Sequence, residues 1–460
     1  MQKAIAKYGL AAHLALLAVA PLVLFPFFSG PTTAGVLLWL SLFGVCWVFL
    51  GPSVRTGEML HDARRRLVRA VSRDPLFWVV VVVVLVSGLR ALNTGIDMVY
   101  DYERREWGMS GPAFLFFPGS LADCGFLPFA ATVAAGVVVL GCRHAMGKSA
   151  RMAFLLVSSL LSGVSAVVAI LLAAHGDKVA LAAFGHSPER FVGPGAGFAV
   201  YLMFATVALF SAFERKWNKA MPLAMVAVAG NAAGLFAFLP PLEATVFAGA
   251  EVLVFLFVFF CAWRMLRGTG EFKLLVLFSV ALALGGLLVA SAVPDSAIEA
   301  KLAAVMERRF LSAEFMDMRR RLSAAAFKAW LGSPWAGVGV GAFRFSLRFH
   351  LASADWAVLP KHIVAVPNGW WHMLVERGIV GVVSVALPFG FLLFTYFKRM
   401  AICIKLVAMP GPAVLLAPVA MAAVAVTALF GGSPLRAEVL VALCAALAVS
   451  ANSFPKRRGR

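Results

Sequence analysis

The sequence predicts an all-α polytopic membrane protein with about twelve transmembrane helices and one long extracytoplasmic loop between the ninth and tenth. Three observations predict it. Of the 460 residues, 62% are hydrophobic and only 14% charged, with a mean hydropathy of +0.90. A soluble fold could not hide that much apolar side chain. The apolar residues fall into runs long enough to span ~30 Å of hydrocarbon at ~1.5 Å per residue. The basic residues cluster in the short loops between alternate runs, which is the positive-inside pattern. In a soluble chain the net charge of +19 would point to nucleic acid. Here its placement argues for membrane orientation instead.

The apolar runs lie at roughly 8–28, 34–52, 75–92, 123–142, 152–174, 195–213, 222–239, 244–265, 273–293, 370–397, 406–430 and 437–453. One set of loops carries Arg64, Arg65 and Arg66, then Arg143 and Lys148, then Arg215, Lys216 and Lys219. It continues with Arg264, Arg267 and Lys273, then Lys398, Arg399 and Lys405, and closes with Lys456, Arg457 and Arg458. Those loops, and both termini, are expected in the cytoplasm. Lys3 and Lys7 before an apolar run resemble a signal peptide, but no small-residue cleavage site follows at the right distance, so a retained first helix is expected. The chain thus divides into residues 1–293 with nine helices, an outer loop at 294–369, and residues 370–460 with three helices and a basic tail. Segments two to nine read as nearly free of charge.

Opposite the basic loops, three connections are long: about 93–122, 175–194 and 294–369. Function is sought there. The cysteines give no framework: Cys46, Cys142, Cys261, Cys403 and Cys444 lie in or beside apolar runs, Cys124 near an outer surface, with no CxxC or zinc spacing. No DxD or HExxH metal signature occurs in the outer loops. Asp97, Asp101 and Glu103 could ligate a cation, although a solvated acidic turn fits them better.

The 294–369 loop begins with mixed charge and helical periodicity, so one or two amphipathic helices are expected on the membrane surface. A series of arginines between 308 and 348 runs against the positive-inside rule. Two readings account for it: attraction to anionic headgroups, or a pocket gripping an anionic ligand through bidentate guanidinium contacts. "SPWAGVGVGAFRFSLRF" (333–349) follows, with Gly337, Gly339 and Gly341 alternating so that the backbone can turn tightly and approach something closely. A dinucleotide site is excluded in that stretch, because Arg344 stands where the third glycine of GxGxxG belongs. "VPNGWWHMLVERGIVG" (366–381) then enters the next apolar run. Its Asn368, His372 and Glu376 are spaced four apart, which puts them on one stripe of a helix. Ionisable groups at such a place normally mark a substrate path. An interfacial His–Glu pair that merely satisfies both groups is the bland alternative.

The order of these elements is distinctive. An arginine (Arg319) is followed fifteen residues later by Pro334, then by G-x-G-x-G-x-F (Gly337, Gly339, Gly341, Phe343). After a polar loop come Asn368 and Gly369 with aromatics, then L-x-E-x-G-x-x-G (Leu374, Glu376, Gly378, Gly381). In this order the chain resembles the O-antigen ligase and polysaccharide polymerase superfamily of bacterial enzymes. "RFVGPGAGFAVYL" (190–202) is similar to that family's arginine before a Gly/Pro turn in the third outer loop. The resemblance covers the twelve-helix plan and about a hundred residues in detail.

The resemblance implies a GT-C-like glycosyltransferase of the bacterial inner membrane with its active face in the periplasm. It acts on undecaprenyl-diphosphate-linked glycans without metal or cofactor, with a glycan or lipid acceptor and other polysaccharide-assembly proteins as partners. Arg190 and Arg319 match family positions for the diphosphate, with Arg321, Arg344 and Arg348 as lesser candidates and Asn368 in the same cavity. The family's catalytic histidine precedes the Asn of the N-G element, where this chain has Pro367. His362 or His372 replaces it, with Glu376 beside His372; or no histidine base is needed; or activity is lost. Polymerase and ligase differ only in acceptor, and the missing ligase-type histidine tilts toward an exopolysaccharide or O-antigen polymerase. A transporter and an accessory assembly protein are the competing classes.

Overall fold

A computed structural model describes residues 2–24, 30–50, 60–94, 98–101, 106–109, 119–120, 124–174, 188–214, 220–238, 313–350, 368–405, 412–418, 420–421 and 437–454. The expected spans at 244–265 and 273–293, most of 406–430, and the loop portions 294–312 and 351–367 lie outside the described residues. Among the described residues the chain is helical apart from one hairpin and short turn or loop segments such as 333–342.

The helices are α1 (Gln2–Leu24), α2 (Gly30–Leu50), α3 (Leu60–Ser72), α4 (Pro75–Leu92), α5 (Phe126–Leu140), α6 (Lys148–Ala174), α7 (Pro188–Glu214) and α8 (Ala220–Phe238). They continue with α9 (Ala313–Gly332), α10 (Phe343–His350), α11 (Gly369–Lys405) and α12 (Ala437–Ala451). The hairpin pairs β1 (Met98–Asp101) with β2 (Glu106–Met109), antiparallel, with Asp101 opposite Glu106. It places Asp101 on a strand, while Asp97 and Glu103 lie outside the described residues.

Five stretches among the described residues are long and apolar enough to cross a membrane: Pro31–Phe49, Pro75–Leu92, Phe126–Ala145, Lys148–Leu171 and Gly369–Cys403. Shorter apolar helices cover Tyr8–Leu24, Gly197–Phe213, Ala220–Leu235 and Val439–Ala451. Their outward faces are apolar too. On α4, Trp78, Val82, Leu85 and Leu89 form an exposed stripe at helical spacing, as a lipid-facing surface requires. The sequence reading leaves 55–73 as a basic loop. The structure makes Leu60–Ser72 an amphipathic helix, because its apolar and arginine positions separate onto two faces.

Close packing among these helices rests on small residues and internal polar contacts, since burial of apolar surface drives little in lipid. α8 lies on α6 and α7. A Cβ on Gly230 would come within 2.8 Å of the Gly163 backbone, so the α6–α8 crossing needs glycine there. Beside it Ser162 donates to Asn231 Oδ1 at 2.7 Å, and Asn231 Nδ2 donates to the Ser159 carbonyl at 2.7 Å. Tyr201, fully buried on α7, donates its hydroxyl to the Ala18 carbonyl of α1 at 2.6 Å.

The bundle has two chemically distinct ends. Asp74 caps α4 by accepting from Leu76 N at 3.2 Å, and meets Arg143 and His144. Arg399, near the far end of α11, bonds Asn452 beyond α12. Arg90, four turns along α4 from Asp74, lies at the other end, with the glycine-rich segment, α9, α10 and the start of α11. The basic loop residues and the motif residues are therefore segregated to opposite ends.

Candidate functional site

α11 is not a continuous helix. Gly378 has φ 60° and ψ −175°, a backbone region essentially confined to glycine, and it divides α11 into two segments. A regular helix would pair Ile379 N with Val375 O and Val380 N with Glu376 O. At the break all four of these groups find other partners. Val338 N donates to Val375 O at 2.8 Å and Gly339 N to Glu376 O at 3.1 Å. Ile379 N donates to Pro334 O at 3.0 Å and Val380 N to Trp335 O at 3.2 Å. The glycine-rich segment thus takes the place of the missing helical turn, and no exchanged group is left bare at membrane depth.

This explains the alternating glycines. A Cβ on Gly337, itself at φ 77°, would sit 2.5 Å from Gly378 N and 2.6 Å from the Glu376 carbonyl carbon. What the sequence reading takes as a loop approaching something closely is a loop approaching the broken helix. Glycines such as Gly378 and Gly381 in an apolar helix would ordinarily let it pack closely against a neighbour. The structure gives both another role: Gly378 makes the break, and Gly381 makes room for Arg90, since a Cβ there would lie 2.6 Å from Arg90 Nη2.

Arg90 is the main finding that sequence reasoning passed over. It lies inside the third apolar segment, an exception within segments that are otherwise nearly uncharged. It is 4% exposed, and its Nη2 donates to the Arg377 carbonyl, at 3.4 Å, just ahead of the break. Its Nε has no hydrogen-bond partner among the described residues. Arg377 is itself 8% exposed and Glu376 8%. Two buried guanidiniums therefore lie near one buried carboxylate without a direct ion pair to it, a local excess of positive charge where charge is expensive and normally functional. A lone arginine at the end of a valine run, and another between the Glu and Gly of the motif, were the available signals.

Glu376 uses both oxygens. Oε1 accepts from Gly341 N at 2.9 Å, which ties the carboxylate to the glycine-rich segment, and Oε2 lies 3.5 Å from His372 Nε2. His372 stacks edge-on against Phe343, ring centroids 5.8 Å apart. The expected His372–Glu376 neighbourhood is present, and its floor is a small core of Leu322, Ala325, Ala326, Ala329, Phe343, Leu347 and Val375. Trp330 and Trp371 close it edge-to-face at 6.3 Å. α9 docks through this core onto the first segment of α11.

The second outer connection joins the same layer. Ser120 donates its hydroxyl to Arg90 O at 3.1 Å and its amide to Asn93 O at 3.1 Å. Val340 N donates to Gly119 O at 3.2 Å. Segments around residues 90, 120, 340 and 376 are thereby stitched together, although they are far apart in sequence.

The remaining expected residues divide. Asn368 caps α11, its Oδ1 accepting from Trp370 N at 2.9 Å, so that oxygen has a structural role. Arg319 is half-buried on α9, on the stripe shared with Leu322 and Ala326 that faces the core. Arg321 turns away: it is exposed and pairs with Asp317, one turn back, at 2.8 Å. Arg344 and Arg348 lie one turn apart on α10, and Arg190 in the first turn of α7. His362 and Pro367 lie outside the described residues. No group of three His, Cys, Asp or Glu suited to a metal ion occurs among the described residues.

Neither a protein-family model nor a curated protein matches the chain.

Proposed function

We propose that the protein is a metal-independent membrane glycosyltransferase that polymerises exopolysaccharide or O-antigen repeat units carried on undecaprenyl diphosphate. The carrying observation is the break in α11. It gathers Arg90, Arg377, Glu376 and His372 around a glycine-rich backbone at the end of the bundle that the charge pattern assigns to the periplasm. The inner membrane, cytoplasmic termini and a periplasmic active face belong to the same proposal.

A hydroxyl of the acceptor glycan attacks the anomeric carbon of the donor. The new glycosidic C–O bond forms as the bond to the diphosphate breaks, and undecaprenyl diphosphate leaves with the electron pair. His372 takes the hydroxyl proton, while Glu376 holds the ring in place and offsets the charge it gains. Arg90 and Arg377, in excess over Glu376, supply a fixed positive potential for the diphosphate as its charge develops. Arg319 extends that grip from α9, and donor glycan lies along the Asn368 side. A ligase would run the same step with lipid A-core or another acceptor in place of the growing chain.

One observation favours a second reading. Discontinuous helices with buried charge are a device of secondary transporters, and α11 is such a helix. Glycan analysis in a strain lacking the protein separates the readings. Single repeat units left on the carrier support the polymerase, and full-length unattached chains the ligase. Repeat units trapped on the cytoplasmic leaflet would replace both with a lipid-glycan carrier.

A further inference from the structure

The opposite end of the bundle holds a second cationic cluster that the proposed chemistry does not use. Asp74, buried at the start of α4, receives Arg143 and His144 together, with Arg143 Nη2 donating at 3.0 Å and His144 Nε2 at 2.8 Å. Two adjacent residues reach one carboxylate because Gly141–Ala145 forms a π-helical turn, closed by Met146 N donating to Gly141 O at 3.0 Å. Arg151 donates to Met146 O at 3.2 Å and to the Asn452 carbonyl. Arg399 donates to Asn452 Oδ1 at 3.1 Å and to the Ala451 carbonyl. Three guanidiniums thus gather around one carboxylate. Arg143 Nη1 is buried with no hydrogen-bond partner among the described residues.

An apolar cleft lies in the membrane-spanning region between α4, α5, α11 and α12. Leu76, Val83, Ala135, Val139, Pro388 and Leu392 are among its walls. Leu76 is two residues from Asp74, Val139 one turn before Arg143, and Leu392 two turns before Arg399. The walls of this apolar cleft are thus within one or two turns, along their own helices, of a patch with surplus positive charge and a guanidinium donor that has no hydrogen-bond partner among the described residues.

We propose that this cleft binds one anionic phospholipid, with an acyl chain between the four helices and its phosphate on Arg143 and Arg399. Charge complementarity selects the headgroup, and the apolar walls select a chain rather than a free ion. A zwitterionic lipid of the same chains fills the cleft equally but brings its own cation toward the arginines. The proposal is independent of the glycosyltransferase reading, because no residue is shared between the two ends.

The test uses the purified full-length protein in neutral detergent, titrated with phosphatidylglycerol, phosphatidylcholine of the same chains, or inorganic phosphate. Native mass spectrometry reads retained lipid, and thermal unfolding reads stabilisation. Phosphatidylglycerol should be retained roughly thirtyfold more strongly than phosphatidylcholine, from about fivefold for each of two arginines. It should raise the unfolding midpoint where inorganic phosphate does not. Arg399→Gln should reduce the preference to roughly fivefold. Equal retention of the two lipids, or stabilisation by inorganic phosphate alone, overturns the proposal. A photoreactive acyl chain on phosphatidylglycerol checks the site without any substitution. Crosslinks should fall on residues 76–83 and 385–392, and crosslinks confined to other helices overturn the assignment.

Discussion

Replacing Gly378 by alanine perturbs the feature on which the whole site rests. The glycine sits at φ 60°, ψ −175°, where an L side chain costs about 1–3 kcal/mol. The added methyl would also run onto the Trp335 carbonyl and lie 2.6 Å from the Ala336 carbonyl carbon. Those atoms are backbone, so the glycine-rich segment must move rather than a side chain turn aside. Displacement endangers the four hydrogen bonds that bridge the break. Losing two of them adds about 1–3 kcal/mol, for a total of roughly 2–6 kcal/mol. Thermal unfolding of the purified protein should show this as a fall of roughly 2–6 °C in the midpoint. Gly390→Ala is the matched control in the same helix, because its methyl would meet nothing within 4 Å. It should leave the midpoint unchanged or slightly raised, as alanine favours helix. Equal midpoints for the two variants would refute the idea that the break is held by backbone geometry.

Arg90→Lys keeps the charge but loses the planar fork and should lower glycan transfer by roughly 10²-fold at normal protein level; Gly381→Ala, which pushes the same guanidinium aside, should lower it similarly, as measured by polymer yield. His372→Ala should reduce transfer by ~10²–10⁴-fold, with His362→Ala smaller in effect and Pro367→His partly restoring the His372→Ala protein. Glu376→Gln still offers an acceptor to Gly341 N but leaves the buried Arg90 and Arg377 guanidiniums without their nearby carboxylate, so both its unfolding midpoint and its turnover should fall. Arg319→Lys should reduce polymer sharply, whereas Arg321→Ala should be tolerated, because an exposed i,i+4 pair contributes only about 0.3–0.5 kcal/mol.

The helical membrane architecture was legible because hydropathy and charge act over whole segments and tolerate local error. The His372–Glu376 pair was legible because four-residue spacing within one helix needs no tertiary knowledge. Other parts required contacts between distant segments. The periodicity of residues 379–397 continues smoothly past Gly378, so nothing in the local pattern announces that the helix is broken and repaired by residues 334–339. Arg90 reads as a helix-end arginine until Gly381 and Arg377 are placed beside it. Arg321 was a lesser candidate than Arg319, two positions away, and α9 turns it through about 200°, out to Asp317 and solvent. Asn368 carried two meanings, ligand contact and helix cap, that composition alone does not separate.

The most direct measurement is turnover by the purified protein in liposomes, supplied with an undecaprenyl-diphosphate-linked repeat unit and no added metal. Release of undecaprenyl diphosphate, with glycan lengthened by whole repeat units and loss of both signals in Arg90→Lys and His372→Ala, is the predicted result. Movement of the intact lipid-linked glycan between leaflets with no diphosphate released, or release undiminished by those substitutions, would contradict the account.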